Sequence, residues 1–172
     1  MKAFATIALA ATLAASAALP AFAHDGVLHE GCTADQTFAI GEITVTGAFT
    51  RATLPGAKAA GGFLTITNAG QAADRLIAAA SDVAEAVELH EMKMEGDMMK
   101  MSPIEGGIDI PAGETVTLAP GGLHVMFMGL GQPFEQGACV EVTLTFEQAG
   151  ELPVVLSVSD VSAASAEGHK SH

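Results

Sequence analysis

Apolar and polar residues alternate along this chain from Thr37 onward, in short runs separated by glycine, proline and asparagine. Such alternation, with β-branched residues at every second position, is typical of half-buried β-strands. The runs are residues 43–47, 62–67, 87–92, 115–118, 124–128, 140–146 and 154–158. Their spacing predicts one all-β domain, built as an antiparallel β-sandwich or barrel.

Two parts of this region are less regular. The alanine-rich segment 72–85 fits either a helix or a strand followed by a loop. The glycine pairs Gly61-Gly62 and Gly106-Gly107 lack the context of a phosphate-binding loop, and we interpret them as turn glycines.

Residues 1–23 have the pattern of a secretory signal. Lys2 gives a positive start, an alanine-rich apolar stretch follows, and Ala21-Phe22-Ala23 fits a small-residue cleavage site. An uncleaved membrane anchor is the alternative, which the small-residue site disfavours. No later run reaches the roughly 18 apolar residues of a membrane-spanning helix. We therefore expect export to the periplasm, without stable membrane insertion after cleavage.

This prediction divides the chain into four parts. Residues 1–23 are the expected signal peptide, 24–36 an N-terminal segment, 37–158 the β domain and 159–172 a flexible, histidine-containing tail. The tail prediction rests on a Ser- and Ala-rich composition at the end of the chain.

Charge and aromatic composition exclude several partners. Seven Lys and Arg residues stand against 20 Asp and Glu, which gives a formal net charge of -13. The chain thus lacks the basic surface that nucleic acids and anionic lipids require. Tryptophan and tyrosine are absent, which disfavours base stacking. We expect no nucleic-acid partner.

Cys32 and Cys139 are the only cysteines of the sequence. Thiols tend to pair in an oxidising compartment, and two cysteines allow one connectivity. Metal binding or electron exchange is the alternative, but neither cysteine belongs to a C-x-x-C motif. We predict a structural disulfide between them.

Methionine is unevenly distributed along the chain. Five of the eight methionines fall within residues 92–101, just downstream of His90. This segment is rich in charge and contains glycine, so we interpret it as turn-like and do not expect all of its methionines in the core. Exposed thioethers invite oxidation, which argues for a function that retains them.

Histidine and methionine also share strand faces, because alternate residues of an extended strand point the same way. His124 would share a face with Met126 and Met128, and His90 would share one with Met92. Imidazole and thioether form a soft, uncharged ligand set, which suits Cu(I) better than magnesium, calcium or zinc. The two clusters together predict a Cu(I) site, although a lone histidine would more often be an ordinary hydrogen-bonded residue.

The same residues resemble the motif of the PCuAC family of periplasmic copper chaperones, formerly a domain of unknown function. The family pattern is a histidine, ten residues, a methionine, about twenty-one residues and His-x-Met. Here the series is His90, ten residues, Met101, twenty-two residues and His124-Val125-Met126. The stretches RATLPGAKAAGGFLTITN, LHEMKMEGDMMKM and GGIDIPAGETVTLAPGGLHVMFMGL are also similar to the family, over roughly residues 41–158.

The resemblance implies a cupredoxin-like β-sandwich that binds Cu(I). The implied ligands are His90, Met101, His124 and Met126. It also implies delivery of copper towards the dinuclear copper centre of cytochrome c oxidase. The expected partners are subunit two of that oxidase, an SCO-like thioredoxin-fold protein, or both.

Some members of the family bind Cu(II) through histidines in terminal extensions. The corresponding candidates here are His24, His169 and His172. Cleavage after Ala23 would leave His24 with a free α-amine, so that amine and imidazole could chelate Cu(II) together. The competing interpretation is that these histidines are solvated residues at the chain ends.

Other functions need different residues or the same ones. A copper buffering or resistance protein without an oxidase target would use the same ligands, so the sequence leaves this alternative open. An electron-transfer cupredoxin needs a cysteine ligand, and both cysteines are assigned to the disulfide. A metalloprotease of the H-E-x-x-H type is disfavoured because Met94 stands four residues after His90. We expect a copper carrier and not an enzyme.

Overall fold

The computed structural model describes residues 29–30, 32–33 and 35–164, and all regular structure in that part of the chain is β. The strands are β1 (His29–Glu30), β2 (Thr37–Ile40), β3 (Ile43–Arg51), β4 (Ala59–Asn68), β5 (Asp74–Ala80), β6 (Ala84–Glu95), β7 (Met98–Pro103), β8 (Ile108–Ile110), β9 (Thr115–Leu118), β10 (Leu123–Leu130), β11 (Ala138–Phe146) and β12 (Gly150–Ser159). The all-β prediction is therefore confirmed. Within the same residues, no helix meets the length and apolarity that crossing a bilayer demands.

One mixed sheet contains all of these strands. Its order is β7-β6-β10-β4-β3-β12-β11-β5-β8, while β1 pairs with β11, β2 with β3 and β9 with β4. Among the described residues, the pairing of β12 with β3 is parallel and the others are antiparallel. Strands β5 and β6 are distant in this order yet contact each other, so the sheet curls around its core.

The core follows from the alternation of residue types in the strands. In β10, Val125 and Phe127 are fully buried, whereas Met126 between them is half-buried on the other face. In β11, Val142 and Leu144 are buried in the same alternating way. Burial of one apolar face per strand supplies the main driving force for folding.

Segment 72–85 adopts the strand-and-loop alternative. β5 covers Asp74–Ala80, and β6 begins at Ala84. The buried carboxylate of Asp74 accepts hydrogen bonds from the backbone N–H groups of Arg75, Gln148 and Ala149 at 2.7–3.0 Å. These bonds tie the start of β5 to the β11–β12 turn, a long-range contact that local alanine content cannot reveal.

The interpretation of Gly61-Gly62 as turn glycines is wrong. Both residues lie inside β4, where β10 passes alongside. A Cβ at Gly61 would come within 2.9 Å of the Phe63 ring, and a Cβ at Gly62 within 2.9 Å of Phe127 and Leu156. The pair is therefore required by close packing in the middle of a strand. Gly107, in contrast, has a φ of 91° and lies in a turn, as expected.

The predicted disulfide is present. Cys32 and Cys139 are bonded, with Cα atoms 5.7 Å apart and 107 positions between them in sequence. Strand β1 pairs with β11 at the same point, since His29 lies opposite Cys139. The bond and this short pairing together fasten the N-terminal segment to the sheet.

Residues 160–164 continue from β12 onto the surface of the domain. Ala163 is buried against Phe49 and Phe63, and its carbonyl oxygen accepts a hydrogen bond from Arg51 Nε at 2.7 Å. The sequence analysis assigned these residues to the flexible tail, whereas their small side chain and backbone are packed on the sheet. The histidines His169 and His172, like His24, lie outside the described residues.

Replacing Cys32 and Cys139 together by serine should lower the free energy of unfolding by about 2–5 kcal/mol, the usual effect of removing a native disulfide. Chemical denaturation of the oxidised proteins measures this difference. In the presence of a reductant, wild type and the double variant should unfold at the same midpoint. A double variant as stable as oxidised wild type would show that the bond does not stabilise the fold.

Candidate metal centre

Three adjacent strands bring the predicted ligands to one face of the sheet. His90 in β6 lies directly opposite His124 in β10, and Met92 in β6 lies opposite Met101 in β7. Opposed residues of an antiparallel pair share a face, as do alternate residues of one strand. His90, Met101, His124 and Met126 therefore all project from the same face.

The opposite face of these strands belongs to the hydrophobic core. Leu89, Val125 and Phe127 alternate with the histidines and are at most 6% exposed. His90 and His124 are themselves buried, at 7% and 5% exposure. Their ring centroids are 5.8 Å apart with an interplanar angle of 63°, so the two imidazoles meet edge to face.

The hydrogen bonding of His90 leaves one ring nitrogen without a partner. Nε2 lies 2.8 Å from Oε2 of Glu88, which is two residues earlier on the same strand face. A carboxylate accepts, so Nε2 carries the proton and Nδ1 presents a lone pair in the neutral ring. This Nδ1 is buried and has no hydrogen-bond partner. A buried polar atom of this kind costs about 1–3 kcal/mol unless something satisfies it.

His124 is held in the complementary tautomer. Its Nδ1 lies 3.0 Å from the carbonyl oxygen of Gly122, so Nδ1 donates the hydrogen bond and Nε2 is the unprotonated nitrogen of the neutral ring. Metal-binding histidines are commonly oriented in this way, with the second nitrogen donating to a carboxylate or a backbone carbonyl. Each of the two rings thus has one nitrogen fixed by the protein and one lone pair for a ligand.

An aromatic wall closes the side of the site nearest β4 and β3. The Phe63 ring centroid is 6.4 Å from that of His124, and Phe49 packs on Phe63 at 5.1 Å. The guanidinium of Arg51 lies over the Phe63 ring, 5.6 Å from its centroid, and is held there by its hydrogen bond to Ala163. This wall excludes water from one side of the histidine pair.

The thioether side of the site is open. Met101 is 45% exposed on β7, which is the edge strand of the sheet. Met126 is half-buried, between the histidines and the aromatic wall in the strand order. An ion therefore reaches the two imidazoles most directly from the β7 edge.

The donor set is neutral and soft. In the part of the chain that the structure describes, no group of three or more His, Cys, Asp or Glu side chains is arranged to hold a metal ion. The cluster on β6, β7 and β10 instead combines two imidazoles with two thioethers, and both cysteine sulfurs are in the disulfide. Such a set favours Cu(I) over hard divalent cations.

Sequence analysis missed three groups that shape this site. Glu88 could have been found, because it lies two residues before His90 and so shares its strand face. The contact of Phe63 with His124 depends on how β4 pairs with β10, and the Gly122 carbonyl on the turn before β10. Neither is encoded in local spacing.

A family model described as "LpqE-like: Putative lipoprotein LpqE-like" matches residues 43–158, a range that includes every strand from β3 to β11. A curated relative from Leifsonia xyli subsp. xyli, "Putative lipoprotein Lxx21020", is 38% identical over 112 residues. The match covers 62% of this chain and 68% of that relative.

Two solved structures are similar in sequence and fold. The copper-bound PCuAC domain from PmoF2 has a TM-score of 0.62 and 29% identity, over 73% of this chain and 98% of that one. Cu(I)-bound DR1885 from Deinococcus radiodurans has a TM-score of 0.53 and 32% identity, over 73% of this chain and 81% of that one. Both of these structures hold the metal that a neutral His–Met set favours.

In mildly alkaline, metal-free solution, where histidine rings are neutral, His90 should carry its proton on Nε2 and His124 on Nδ1. Long-range proton–nitrogen NMR distinguishes the two tautomers. In Glu88→Leu, which removes the acceptor, His90 should lose its preference while His124 keeps its own. Glu88→Gln retains an acceptor oxygen and should leave both unchanged. A His90 tautomer that ignores Glu88→Leu would contradict the assignment.

Proposed function

The chain belongs to the LpqE-like family, which is the PCuAC family, and from this membership we propose that it is an exported chaperone that binds Cu(I) as cargo. It has the copper-binding chaperone fold of that family. The relatives with solved structures bind copper and are not enzymes, in agreement with the expectation for this chain.

The observation that carries this proposal is the unpartnered, buried Nδ1 of His90 beside the second imidazole. A monovalent soft cation would satisfy this lone pair without a charged ligand. We propose His90, Met101, His124 and Met126 as the four donors. Their common strand face and the fixed tautomers of both histidines support this set, since neither ring must rotate or lose a proton to bind metal.

The ligand chemistry suits a carrier better than a permanent store. Thioethers are neutral and hold Cu(I) without the charge attraction of a thiolate. An acceptor that offers cysteine ligands can therefore take the ion downhill. The exposed Met101 lies at the edge of the sheet, so an incoming ligand can replace this thioether first. Transfer then proceeds by stepwise exchange of ligands.

We propose the dinuclear copper centre of cytochrome c oxidase as the destination, reached in subunit two directly or through an SCO-like thioredoxin-fold protein. The PCuAC motif supports this target. The net charge of -13 supports attraction of a basic partner face at low ionic strength.

We propose the periplasm as the compartment. The family's lipoprotein description indicates an exported or lipid-anchored protein. The disulfide supports an oxidising compartment, because such bonds are rare where thiols are kept reduced. It also joins both cysteine sulfurs of this sequence, so neither is free to carry a lipid. Binding of Cu(II) by His24, His169 and His172 stays a prediction.

Replacing Met101 and Met126 together by leucine should lower Cu(I) affinity more than about 100-fold, since even the loss of an outer-shell partner costs 10–100-fold. Leucine keeps the size and apolar character of methionine, so the fold should remain. Competition with a Cu(I) chelator measures the affinity. Met98→Leu, a matched change on the opposite face of β7, should bind like wild type. Retained affinity in the double variant would overturn the ligand assignment.

Deleting the gene should reduce cytochrome c oxidase activity when copper is scarce, and added copper should restore it, because delivery matters most when free copper is low. Respiration measured with and without added copper tests this expectation. Reintroducing the wild-type gene should restore activity, whereas the Met101→Leu, Met126→Leu form should not. Normal respiration in scarce copper would instead favour a buffering or resistance protein.

A further inference from the structure

The methionine face extends beyond the four proposed ligands. The β6–β7 hairpin turns at Gly96-Asp97, and its register places Met92 opposite Met101 and Met94 opposite Met99. Because opposed and alternate residues share a face, these four thioethers form two successive cross-strand pairs. The first pair lies next to the histidines, and the second lies at the tip of the hairpin.

The outer pair is not buried in the core. Met94 is 61% exposed and Met99 is 49% exposed. Neither belongs to the hydrophobic clusters of the described residues. Exposed methionine stabilises little by burial and is prone to oxidation to the sulfoxide. Packing therefore does not account for this pair.

The charged residues of the hairpin lie on its other face. Lys93 forms an ion pair with Glu91, and Lys100 Nζ lies 3.0 Å from Glu95. The register places Lys93 opposite Lys100 on the face that carries Met98. The methionine face is thus a neutral, soft surface with no lysine of the hairpin to repel a cation.

We propose that Met94 and Met99, with Met92 as the third sulfur, form a second and weaker Cu(I) site through which the ion enters and leaves the main centre. This proposal rests on the proposed function, and it adds the route by which the cargo moves. Cross-strand neighbours have Cβ atoms about 4.5–5.5 Å apart, and diagonal neighbours about 7–8 Å, within reach of long side chains. Methionine has three rotatable side-chain bonds, so three sulfurs can converge on one ion.

Movement between the two sites needs no redox chemistry. Cu(I) keeps its charge, and each copper–sulfur bond that breaks is replaced by a bond to the next thioether. No proton moves, because a thioether has none. Adjacent pairs on one face are separated by two residues, about 6.6 Å along a strand, so Met92 and Met101 bridge the hairpin tip and the histidines.

NMR of the mature protein with labelled methionine methyl groups tests the proposal directly. Under anaerobic conditions, the first equivalent of Cu(I) should shift the methyl signals of Met101 and Met126. The second equivalent should shift those of Met94 and Met99. Met98 lies in the same hairpin on the opposite face, and its signal should stay in place through both additions.

The outcomes separate this proposal from the main site. Unmoved Met101 and Met126 at one equivalent would overturn the ligand assignment itself. If those two respond but Met94 and Met99 do not, the outer site alone is overturned, as expected for a face that only docks a protein. Met98 shifting as far as Met94 and Met99 would show unselective thioether binding and would also overturn it.

A kinetic comparison tests the route. Met94→Leu with Met99→Leu should keep the affinity for the first Cu(I) within about twofold, because distant sites act independently. Transfer of that ion to a chromophoric chelator should slow at least about fivefold, an increase of about 1 kcal/mol in the barrier. Met98→Leu should transfer like wild type. Equal transfer rates in all three proteins would overturn the role of the hairpin tip.

Discussion

The register between β6 and β10 is the constraint on which the site depends. It places His90 directly opposite His124, and it is fixed from the other face of the same strands, where Leu89, Val125 and Phe127 are buried. A shift of one residue would turn both imidazoles into the core and expose the apolar side chains. The free energy that folds the domain therefore also positions the two rings, and no separate loop is needed to assemble them.

A site built on paired strands is rigid where the histidines lie and adaptable where the methionines lie. Glu88 and the Gly122 carbonyl fix the two tautomers, and the Phe63 wall limits movement of His124. Met101, in contrast, is exposed on the edge strand and has a flexible side chain. Fixed nitrogens and mobile sulfurs together allow binding without a large rearrangement and release through one side.

Part of this arrangement could be predicted from the sequence. A period of two places His124 with Met126, and His90 with Met92, on shared faces, and the PCuAC motif adds Met101. The assignment of 92–101 to a turn-like segment was less accurate, because β6 continues to Glu95 and β7 begins at Met98. Charges on one face of that hairpin and methionines on the other mask the apolar alternation. The role of Gly61-Gly62 depends on neighbouring strands and could not be read locally.

The choice of sulfur ligand follows from the same chemistry as the disulfide. In an oxidising compartment, thiols near one another are converted to disulfides, and here both cysteines are joined far along the sequence from the histidines. A soft metal then needs a sulfur donor that cannot form such a bond, and a thioether meets this requirement. Its weakness is oxidation to the sulfoxide, which abolishes a soft donor. A bound copper ion occupies the sulfur lone pair that an oxidant would attack, so occupancy itself should protect the methionines on which it depends.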